Sequence, residues 1–300
     1  MRRIIFWLKT VLLVAAVLVV TSVVAVRVWP QVVIFDALMP GDPGTRRMMQ
    51  AVAYGSDPRQ RLDVYAPATH GAALPILVFI HGGSWDSGTK DGYGFAASAY
   101  AARGFVVVVP EYRLHPDHKY PAFLRDCASA VAWARDNARA IGGDAGRIVL
   151  VGHSAGAYNA AMLAYDQRWL DEAGVPRETI RAFAGLAGPY DFLPLTDAAT
   201  RRTFAHVGED DLPATQPVNH VDAGDPPAIL VQGTADAIVH PTRHTQSLSR
   251  ELRDAGVDVE VVDYSGIGHA GIVTALAWPL RWRAPVLEDT AALLKNYAER

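Results

Sequence analysis

The segment Gly152-His153-Ser154-Ala155-Gly156 carries the residue best suited to nucleophilic chemistry in this chain. It follows the apolar run 148–151, which predicts a buried strand that turns sharply into a helix, with one serine at the apex. Such a turn holds a hydroxyl oxygen clear of its own backbone and within reach of a base. The two glycines suit this turn, because strand and helix crowd together there and leave little room for a Cβ atom. The spacing therefore predicts Ser154 as a nucleophile.

A serine nucleophile needs a base that takes its proton and a third group that orients the base. Asp236 comes shortly after the apolar run 228–232, and His269 lies in a glycine-flanked turn after the predicted strand 257–264. Side chains that follow parallel strands meet at the carboxyl edge of a sheet. We therefore expect Asp236 to orient the imidazole of His269, and His269 to take the proton of Ser154.

An acyl transfer at Ser154 would create an oxyanion, and one preorganised N–H donor to such an oxyanion is typically worth roughly 3 kcal/mol. Another predicted strand, residues 76–80, runs directly into His81-Gly82-Gly83-Ser84-Trp85. The glycines of this loop let backbone N–H groups approach a substrate oxygen closely. The N–H of Ala155, just after the nucleophile, would supply the remaining donor.

Strands and helices alternate along most of the chain, and these elements must position the chemistry. The predicted strands are residues 48–54, 61–66, 76–80, 105–109, 148–151, 182–186, 228–232 and 257–264. The predicted helices are residues 96–103, 121–140, 155–165, 242–255 and 286–298. Several strand runs are continuously apolar, as in strands buried on both faces. The pattern predicts an α/β fold with a mostly parallel central sheet and helices on both faces.

Residues 189–227 interrupt the alternation with a polar, proline-containing insertion. This length exceeds a plain connection, which predicts a lid or cap over a pocket. The alternative interpretation is a surface loop that has no functional role.

The start of the chain predicts a membrane segment. Residues 10–26 contain no charge, and together with residues 4–8 the apolar stretch is long enough to span a bilayer. Arg2, Arg3 and Lys9 precede most of it, which places the N-terminus in the cytoplasm and the following domain outside. We expect an anchor or signal segment over residues 1–28, a connector over 29–47 and a catalytic domain over 48–300. A cleaved signal peptide, which would leave a secreted or periplasmic protein, is the alternative.

Composition excludes several other classes of function. The net charge is −3 and no basic stripe is interleaved with aromatic residues, so we expect no nucleic-acid partner. Cys127 is the only cysteine, which rules out an internal disulfide and a thiolate metal cluster. His115 and His118, or His240 and His244, have a spacing that could hold a metal, but neither pair has the acidic companion of a His-Glu-x-x-His helix. We expect no metal and no cofactor, and the sequence leaves the oligomeric state open.

The motifs together resemble the α/β-hydrolase esterase/lipase superfamily, in particular its His-Gly-Gly-X-Trp type. That type includes hormone-sensitive-lipase-like carboxylesterases, kynurenine formamidases and bacterial feruloyl or acetylxylan esterases. The resemblance covers about residues 48–298, and the chain order Ser154, Asp236, His269 is the order of the superfamily's triad. The remaining segments that carry it are His81-Gly82-Gly83-Ser84-Trp85, Glu111-Tyr112-Arg113-Leu114, Asp225-Pro226-Pro227, Gly233-Thr234-Ala235-Asp236 and Gly268-His269.

The resemblance implies an α/β-hydrolase fold, a catalytic triad of Ser154, Asp236 and His269, and an oxyanion hole at Gly83, Ser84 and Ala155. Ser84 stands where many lipase relatives have a third glycine, and Glu111 replaces the usual aspartate of its motif. We expect a carboxylesterase that acts on a small-molecule ester through an acyl-serine. Hydrolysis of a formamide or peptide bond by the same residues is the second enzymatic hypothesis. A non-catalytic binding module is disfavoured, because such modules usually lose a triad member and none is missing here.

Overall fold

A computed structural model describes residues 31–300 of the chain. The strands are β1 (Thr45–Ala53), β2 (Arg61–Pro67), β3 (Leu74–Ile80), β4 (Val106–Pro110), β5 (Gly143–His153), β6 (Ile180–Leu186), β7 (Ala228–Gly233) and β8 (Val259–Tyr264). The helices are α1 (Gln31–Leu38), α2 (Gly94–Ala101), α3 (Ala122–Asp136), α4 (Ala138–Ile141), α5 (Ala155–Tyr165), α6 (Arg168–Glu172), α7 (Ala198–Phe204), α8 (Pro241–Asp254), α9 (His269–Thr274) and α10 (Val286–Ala298). Short 3-10 helices cover Lys90–Gly92, Arg177–Thr179, Glu209–Thr215, Pro217–Asn219 and Trp278–Arg283.

The eight strands form one sheet in the order β1-β2-β4-β3-β5-β6-β7-β8. The β1–β2 and β2–β4 pairs are antiparallel, and every other neighbouring pair is parallel. The prediction of a mostly parallel sheet is therefore confirmed. Because β3 and β5 to β8 all run in one direction, the loops after them emerge at one edge.

The continuous apolar runs are explained by a core on each face of the sheet. Along β3, Ile76, Val78 and Ile80 belong to one buried cluster, while Leu77 and Phe79 belong to the other. Successive side chains of a strand point to opposite faces, so a strand covered on both sides must be apolar at every position. Helices α3, α5 and α6 contribute to the first cluster, and helices α2, α9 and α10 contribute to the second.

The single helix predicted over residues 121–140 is divided in two, between α3 and α4. Asn137 ends α3 with backbone angles of φ −102° and ψ 8°, and its side-chain amide donates to the carbonyl oxygen of Trp133 at 2.8 Å. The backbone N–H of Asn137 donates to the same carbonyl oxygen at 2.9 Å, so this acceptor is shared at the end of α3. The predicted extent of the helical region is therefore confirmed, and the break at Asn137 is a feature that the sequence did not predict.

The segment predicted as a connector, residues 29–47, carries helix α1 and the beginning of β1. The carboxylate of Asp36 in α1 accepts a hydrogen bond from the backbone N–H of Phe95 at 2.6 Å, at the start of α2. The ring of Phe35 packs edge-on against Phe95, with 5.0 Å between centroids. These contacts attach α1 to the folded domain.

The membrane segment predicted over residues 1–28 lies outside the described residues. Within residues 31–300, no helix combines the length and the hydrophobicity needed to cross a bilayer.

Candidate active site

Ser154 lies at the turn between β5 and α5, as the sequence predicts. Its backbone has φ 55° and ψ −124°, in a region that L residues rarely occupy. Strain of this kind costs on the order of 1–3 kcal/mol and persists only where the surrounding structure imposes it. The backbone N–H of Ser154 donates to the carbonyl oxygen of Leu186 at 2.9 Å, which ties the turn to β6. The serine is thus held at the apex of a strained elbow.

Gly152 and Gly156 are both required by close backbone approach. A Cβ atom on Gly152 would lie 2.2 Å from the carbonyl oxygen of Gly156, and one on Gly156 would lie 2.1 Å from the carbonyl oxygen of Ile80. Such contacts are far below van der Waals distance, and backbone atoms cannot easily move aside. The crowding inferred from the sequence at these two glycines is therefore present.

Ser154, His269 and Asp236 meet in one hydrogen-bonded chain at the carboxyl edge of the sheet. The Nε2 atom of His269 lies 2.9 Å from Oγ of Ser154. The Nδ1 atom of the same ring lies 2.7 Å from Oδ2 of Asp236. His269 is the first residue of α9, and Asp236 follows the end of β7 by three residues. Elements far apart in the sequence therefore bring together the three side chains predicted as a triad.

The carboxylate of Asp236 is held as an ion. Its side chain is fully buried, and burial alone would raise its pKa. Hydrogen bonds from His269 and from the backbone N–H groups of Val239 and Ile238 outweigh that effect, so the pKa is lowered. An ionised Asp236 accepts the Nδ1 proton of His269, which leaves Nε2 as the acceptor that faces the serine hydroxyl.

The loop 81–85 packs directly against the elbow. A Cβ atom on Gly82 would lie 3.1 Å from Cβ of Ser154. The loop has an unusual backbone, with φ values of 127° at Gly83, 53° at Ser84 and 59° at Trp85. Across residues 31–300, no backbone or side-chain acceptor receives a hydrogen bond from the N–H groups of Gly83, Ser84 or Ala155. Backbone donors without a protein partner are what an oxyanion hole requires.

A small pocket opens beside Ser154. Its volume is about 80 Å³, and Ser84 and Ala155 line it together with the nucleophile. Gly83, the third residue predicted for the oxyanion hole, does not line this pocket. Gly83 instead shapes the loop. Its φ is positive, and a Cβ atom there would lie 2.2 Å from the carbonyl oxygen of Ser87, so the position requires glycine. Trp85, Phe192 and Val239 make up much of the apolar wall.

Two supporting contacts were not predicted from the sequence. The hydroxyl of Tyr112 donates to the carbonyl oxygen of His81 at 2.8 Å, and the hydroxyl of Tyr93 accepts from the N–H of Gly82 at 3.2 Å. Trp85 is fixed in turn, because its indole N–H donates to Oδ1 of Asn159 at 3.0 Å. The loop 81–85 is therefore held by three buried side chains, those of Tyr93, Tyr112 and Asn159.

The segment Glu111-Tyr112-Arg113-Leu114 also acquires a structural role. Arg113 Nε lies 2.8 Å from Oδ2 of Asp126, and its Nη2 lies 2.7 Å from Oδ1 of that residue. A buried carboxylate bound by an arginine through two nitrogens fixes both partners in direction. This pair anchors the segment that presents Tyr112 to the loop 81–85.

Two buried histidines adjoin the site: His153 directly precedes Ser154 and packs against His269 with 5.1 Å between ring centroids, and His81 begins the loop 81–85. Burial lowers the pKa of His81 to about 4, and burial together with the nearby His269 lowers the pKa of His153 to about 3. Both imidazoles are therefore neutral near pH 7, and neither is bonded to the hydroxyl of Ser154.

Comparison with known proteins identifies the family. The BD-FAE family model matches residues 62–252, which is more than half of the chain. Carboxylesterase NlhH of Mycobacterium tuberculosis is 40% identical, over 72% of this chain and 72% of that protein. The isoprenylcysteine alpha-carbonyl methylesterase ICME of Arabidopsis thaliana is 29% identical, over 79% of this chain and 59% of that protein.

Solved structures support the same fold. Esterase B from Lactobacillus rhamnosis, inhibited by a tributyrin phosphonate, matches with a TM-score of 0.78 at 20% identity, over 95% of this chain and 96% of that chain.

This chain spans 55% to 64% of the length of six curated relatives, which are five plant methylesterases and esterase LipC of M. tuberculosis. The α/β-hydrolase fold expected from the motifs is confirmed. The chain therefore belongs to the BD-FAE family, a family of α/β-hydrolase esterases.

Proposed function

We propose that this protein hydrolyses carboxylic esters through an acyl-enzyme intermediate on Ser154. The observation that carries the proposal is the continuous chain from Ser154 Oγ through both ring nitrogens of His269 to Asp236, with distances of 2.9 Å and 2.7 Å. His269 takes the hydroxyl proton as Oγ attacks the ester carbonyl carbon, and then gives that proton to the leaving alcohol. A water molecule, activated by the same imidazole, releases the acid and restores the serine.

Asp236 and the backbone donors complete the proposed mechanism. Asp236 keeps the Nδ1 proton in place and stabilises the imidazolium that forms during attack. The N–H groups of Ser84 and Ala155, which belong to residues lining the pocket, are proposed to donate to the oxyanion together with that of Gly83. Each such donor is worth roughly 3 kcal/mol in the transition state.

The proposal is tested by labelling and by hydrolysis. A fluorophosphonate probe is expected to modify the folded protein once, at Ser154, and a Ser154→Ala variant is expected to remain unlabelled. The same preparations are then assayed on p-nitrophenyl esters and, in parallel, on N-formylkynurenine. Absence of labelling at Ser154 in folded protein would favour a non-catalytic module. If the enzyme hydrolysed only N-formylkynurenine, the proposed substrate would be a formamide instead of an ester.

We also propose that residues 189–227 form a cap over the pocket. The proposal is supported by Phe192, Asp197 and Thr200, which line the pocket together with Ser154. The cap is joined to the body by a hydrogen bond from the hydroxyl of Tyr158 to the carbonyl oxygen of Thr215 at 2.8 Å. Replacing residues 198–204 by a short glycine-serine linker is expected to change the preference for acyl length, and unchanged selectivity would contradict the role.

The N-terminal segment supports a proposal on location. Residues 10–26 are uncharged and Arg2, Arg3 and Lys9 precede them, so we propose that this segment holds the catalytic domain at the outer face of a membrane. Full-length protein is expected to sediment with membranes after a carbonate wash, and a variant that begins at residue 31 is expected to stay in the supernatant. Release of the full-length chain as a shortened product would instead indicate a cleaved signal.

A further inference from the structure

His244 forms part of the pocket wall next to the nucleophile. It lies in the first turn of α8, is 8% exposed, and lines the same pocket of about 80 Å³ as Ser154 and Ala155. The mechanism proposed above does not use it. A polar ring in a mostly apolar wall needs its own explanation, because buried polar groups are almost always hydrogen-bonded.

The hydrogen bonding of His244 fixes which nitrogen carries the proton. The backbone N–H of Asp191 donates to Nδ1 of His244 at 3.2 Å, so Nδ1 is an acceptor. Burial lowers the pKa of His244 to about 4, and the ring is therefore neutral near pH 7. A neutral imidazole with an accepting Nδ1 carries its proton on Nε2. In the part of the chain that the structure describes, no protein acceptor receives this Nε2–H.

The position of Asp191 holds the ring in place. Its carboxylate accepts a hydrogen bond from the hydroxyl of Ser247 at 3.0 Å, one turn further along α8 than His244. The backbone of Asp191 is thereby tied to the helix that carries the imidazole. The Nε2–H is thus presented in a fixed position rather than on a freely rotating side chain.

The rest of the pocket limits what this donor can bind. Trp85, Pro189, Phe192 and Val239 are apolar and form a short cavity. Asp197 lies at the exposed rim, and hydrogen bonds from Thr200 and Ala199 lower its pKa against the opposing effect of partial burial. A carboxylate at the rim disfavours a second negative charge in so small a space. The acceptor that fits this wall is a neutral oxygen.

We infer that His244 is a specificity-determining residue that favours ester substrates whose short acyl group carries a neutral oxygen acceptor, as in hydroxyacyl and alkoxyacyl esters. The acyl side is indicated because Ser84 and Ala155, the proposed oxyanion donors, line the same pocket. This inference rests on the proposed esterase function. The Nε2 atom of His244 is not among the fully buried side-chain atoms that lack a partner, so in the free protein this N–H can bind water. An acyl group in the pocket displaces that water, and a donor then left without a partner costs free energy, so an acyl group that supplies the acceptor binds better than its hydrocarbon equivalent.

The test compares two esters of nearly equal shape, p-nitrophenyl methoxyacetate and p-nitrophenyl butyrate. They differ by one ether oxygen in place of a methylene group. For each enzyme we measure kcat/KM for both esters and divide the methoxyacetate value by the butyrate value. The two esters differ in intrinsic reactivity, but this difference is the same for every variant and cancels when variants are compared. In His244→Leu, which removes the donor, the methoxyacetate-to-butyrate ratio is expected to fall about 5- to 10-fold, the range typical of one hydrogen bond.

Two further variants separate specificity from structure. His244→Gln returns an amide N–H near the position of Nε2 and is expected to keep the ratio within about threefold of the unmodified enzyme. His240→Leu makes the same substitution one turn earlier, at an exposed residue outside the pocket, and is expected to leave the ratio unchanged. A ratio in His244→Leu equal to that of the unmodified enzyme would overturn the inference and leave His244 with a packing role only. A different outcome would overturn the proposed function itself: the unmodified enzyme hydrolyses neither ester, or Ser154 is not labelled.

Discussion

Tyr112 lies flat against His81, with 4.4 Å between the ring centroids and 15° between the ring planes. Its hydroxyl also donates to the carbonyl oxygen of His81 at 2.8 Å, so one side chain fixes both the ring and the backbone at the start of the loop 81–85. Because this loop carries two of the proposed oxyanion donors, the tyrosine is placed to act on catalysis without touching the substrate.

Substitution of Tyr112 by phenylalanine tests this positioning role. The stacked ring is kept and one buried hydrogen bond is lost, so the free energy of unfolding is expected to fall by about 1 kcal/mol. We expect kcat for a p-nitrophenyl ester to fall about 3- to 10-fold with little change in KM. Tyr297→Phe removes a hydroxyl that donates to Asp258, which directly precedes β8 at its amino end, and should leave kcat unchanged. Equal kcat in the two variants would refute a role for Tyr112 in the site.

Replacement of Asp236 by asparagine should reverse the tautomer of His269. The Oδ1 atom of Asp236 accepts from the backbone N–H groups of Ile238 and Val239 at 2.8 Å and 2.9 Å. An asparagine that keeps these bonds turns its amide N–H toward Nδ1, and the imidazole proton then moves to the nitrogen that faces Ser154. We expect kcat to fall roughly 10³- to 10⁴-fold, as in other triads with this change. Circular dichroism should show an unaltered fold, and retention of most of the activity would contradict the assigned role of Asp236.

Alanine at Gly156 is expected to destabilise the fold strongly. Its Cβ atom would lie 2.1 Å from the carbonyl oxygen of Ile80, and relief of that clash would require α5 to move away from β3. We expect a loss of at least about 3 kcal/mol in urea unfolding, at the upper end of the range for single substitutions. At Gly146 the nearest atom to a new Cβ lies at 3.6 Å. Gly146→Ala is therefore the matched control, with an expected change below about 1 kcal/mol, and similar losses in both variants would contradict the steric explanation.

Acid should destabilise the fold through its buried histidines. In the folded state burial lowers the pKa of His81 to about 4 and that of His153 to about 3, whereas an unfolded chain binds these protons near pH 6.5. Between pH 6.5 and pH 4 the unfolded state thus holds more protons, and the free energy of unfolding falls as the pH falls. For one such imidazole the loss is on the order of 3 kcal/mol.

Urea unfolding followed by tryptophan fluorescence at several pH values measures this dependence. In a His81→Phe variant the histidine contribution to the slope of stability against pH between 6.5 and 4 should be reduced by about a third, because His153 and His244 remain. A slope identical to that of the unmodified protein would show that His81 is not the origin of the acid sensitivity.

Local patterns were sufficient to predict the sheet and the residues at its carboxyl edge. Strand β7 and helix α5 begin at the predicted residues because short apolar runs and helical spacing are local properties. The convergence of Ser154, Asp236 and His269 follows from parallel strands, whose loops emerge at a common edge. Their catalytic roles stay predictions until the variants above are measured.

Contacts between distant segments could not be predicted in the same way. Helix α1 depends on the bond between Asp36 and the N–H of Phe95, which are 59 positions apart. The position of His244 depends on an equally remote partner, Asp191, 53 positions away. No periodicity in the sequence records such pairs, since each is chosen by the packing of whole helices against the sheet.

The strained backbone of Ser154 also has a consequence for refolding. The elbow is imposed by contacts with β3 and β6, while the histidine and the aspartate arrive on loops after β8 and β7, so no fragment of the chain can assemble this site alone. Chains dominated by such long-range pairings acquire their native arrangement slowly. Recovery of hydrolytic activity after dilution from denaturant should accordingly lag behind recovery of helical signal, which makes turnover a sensitive reporter of the last long-range contacts to form.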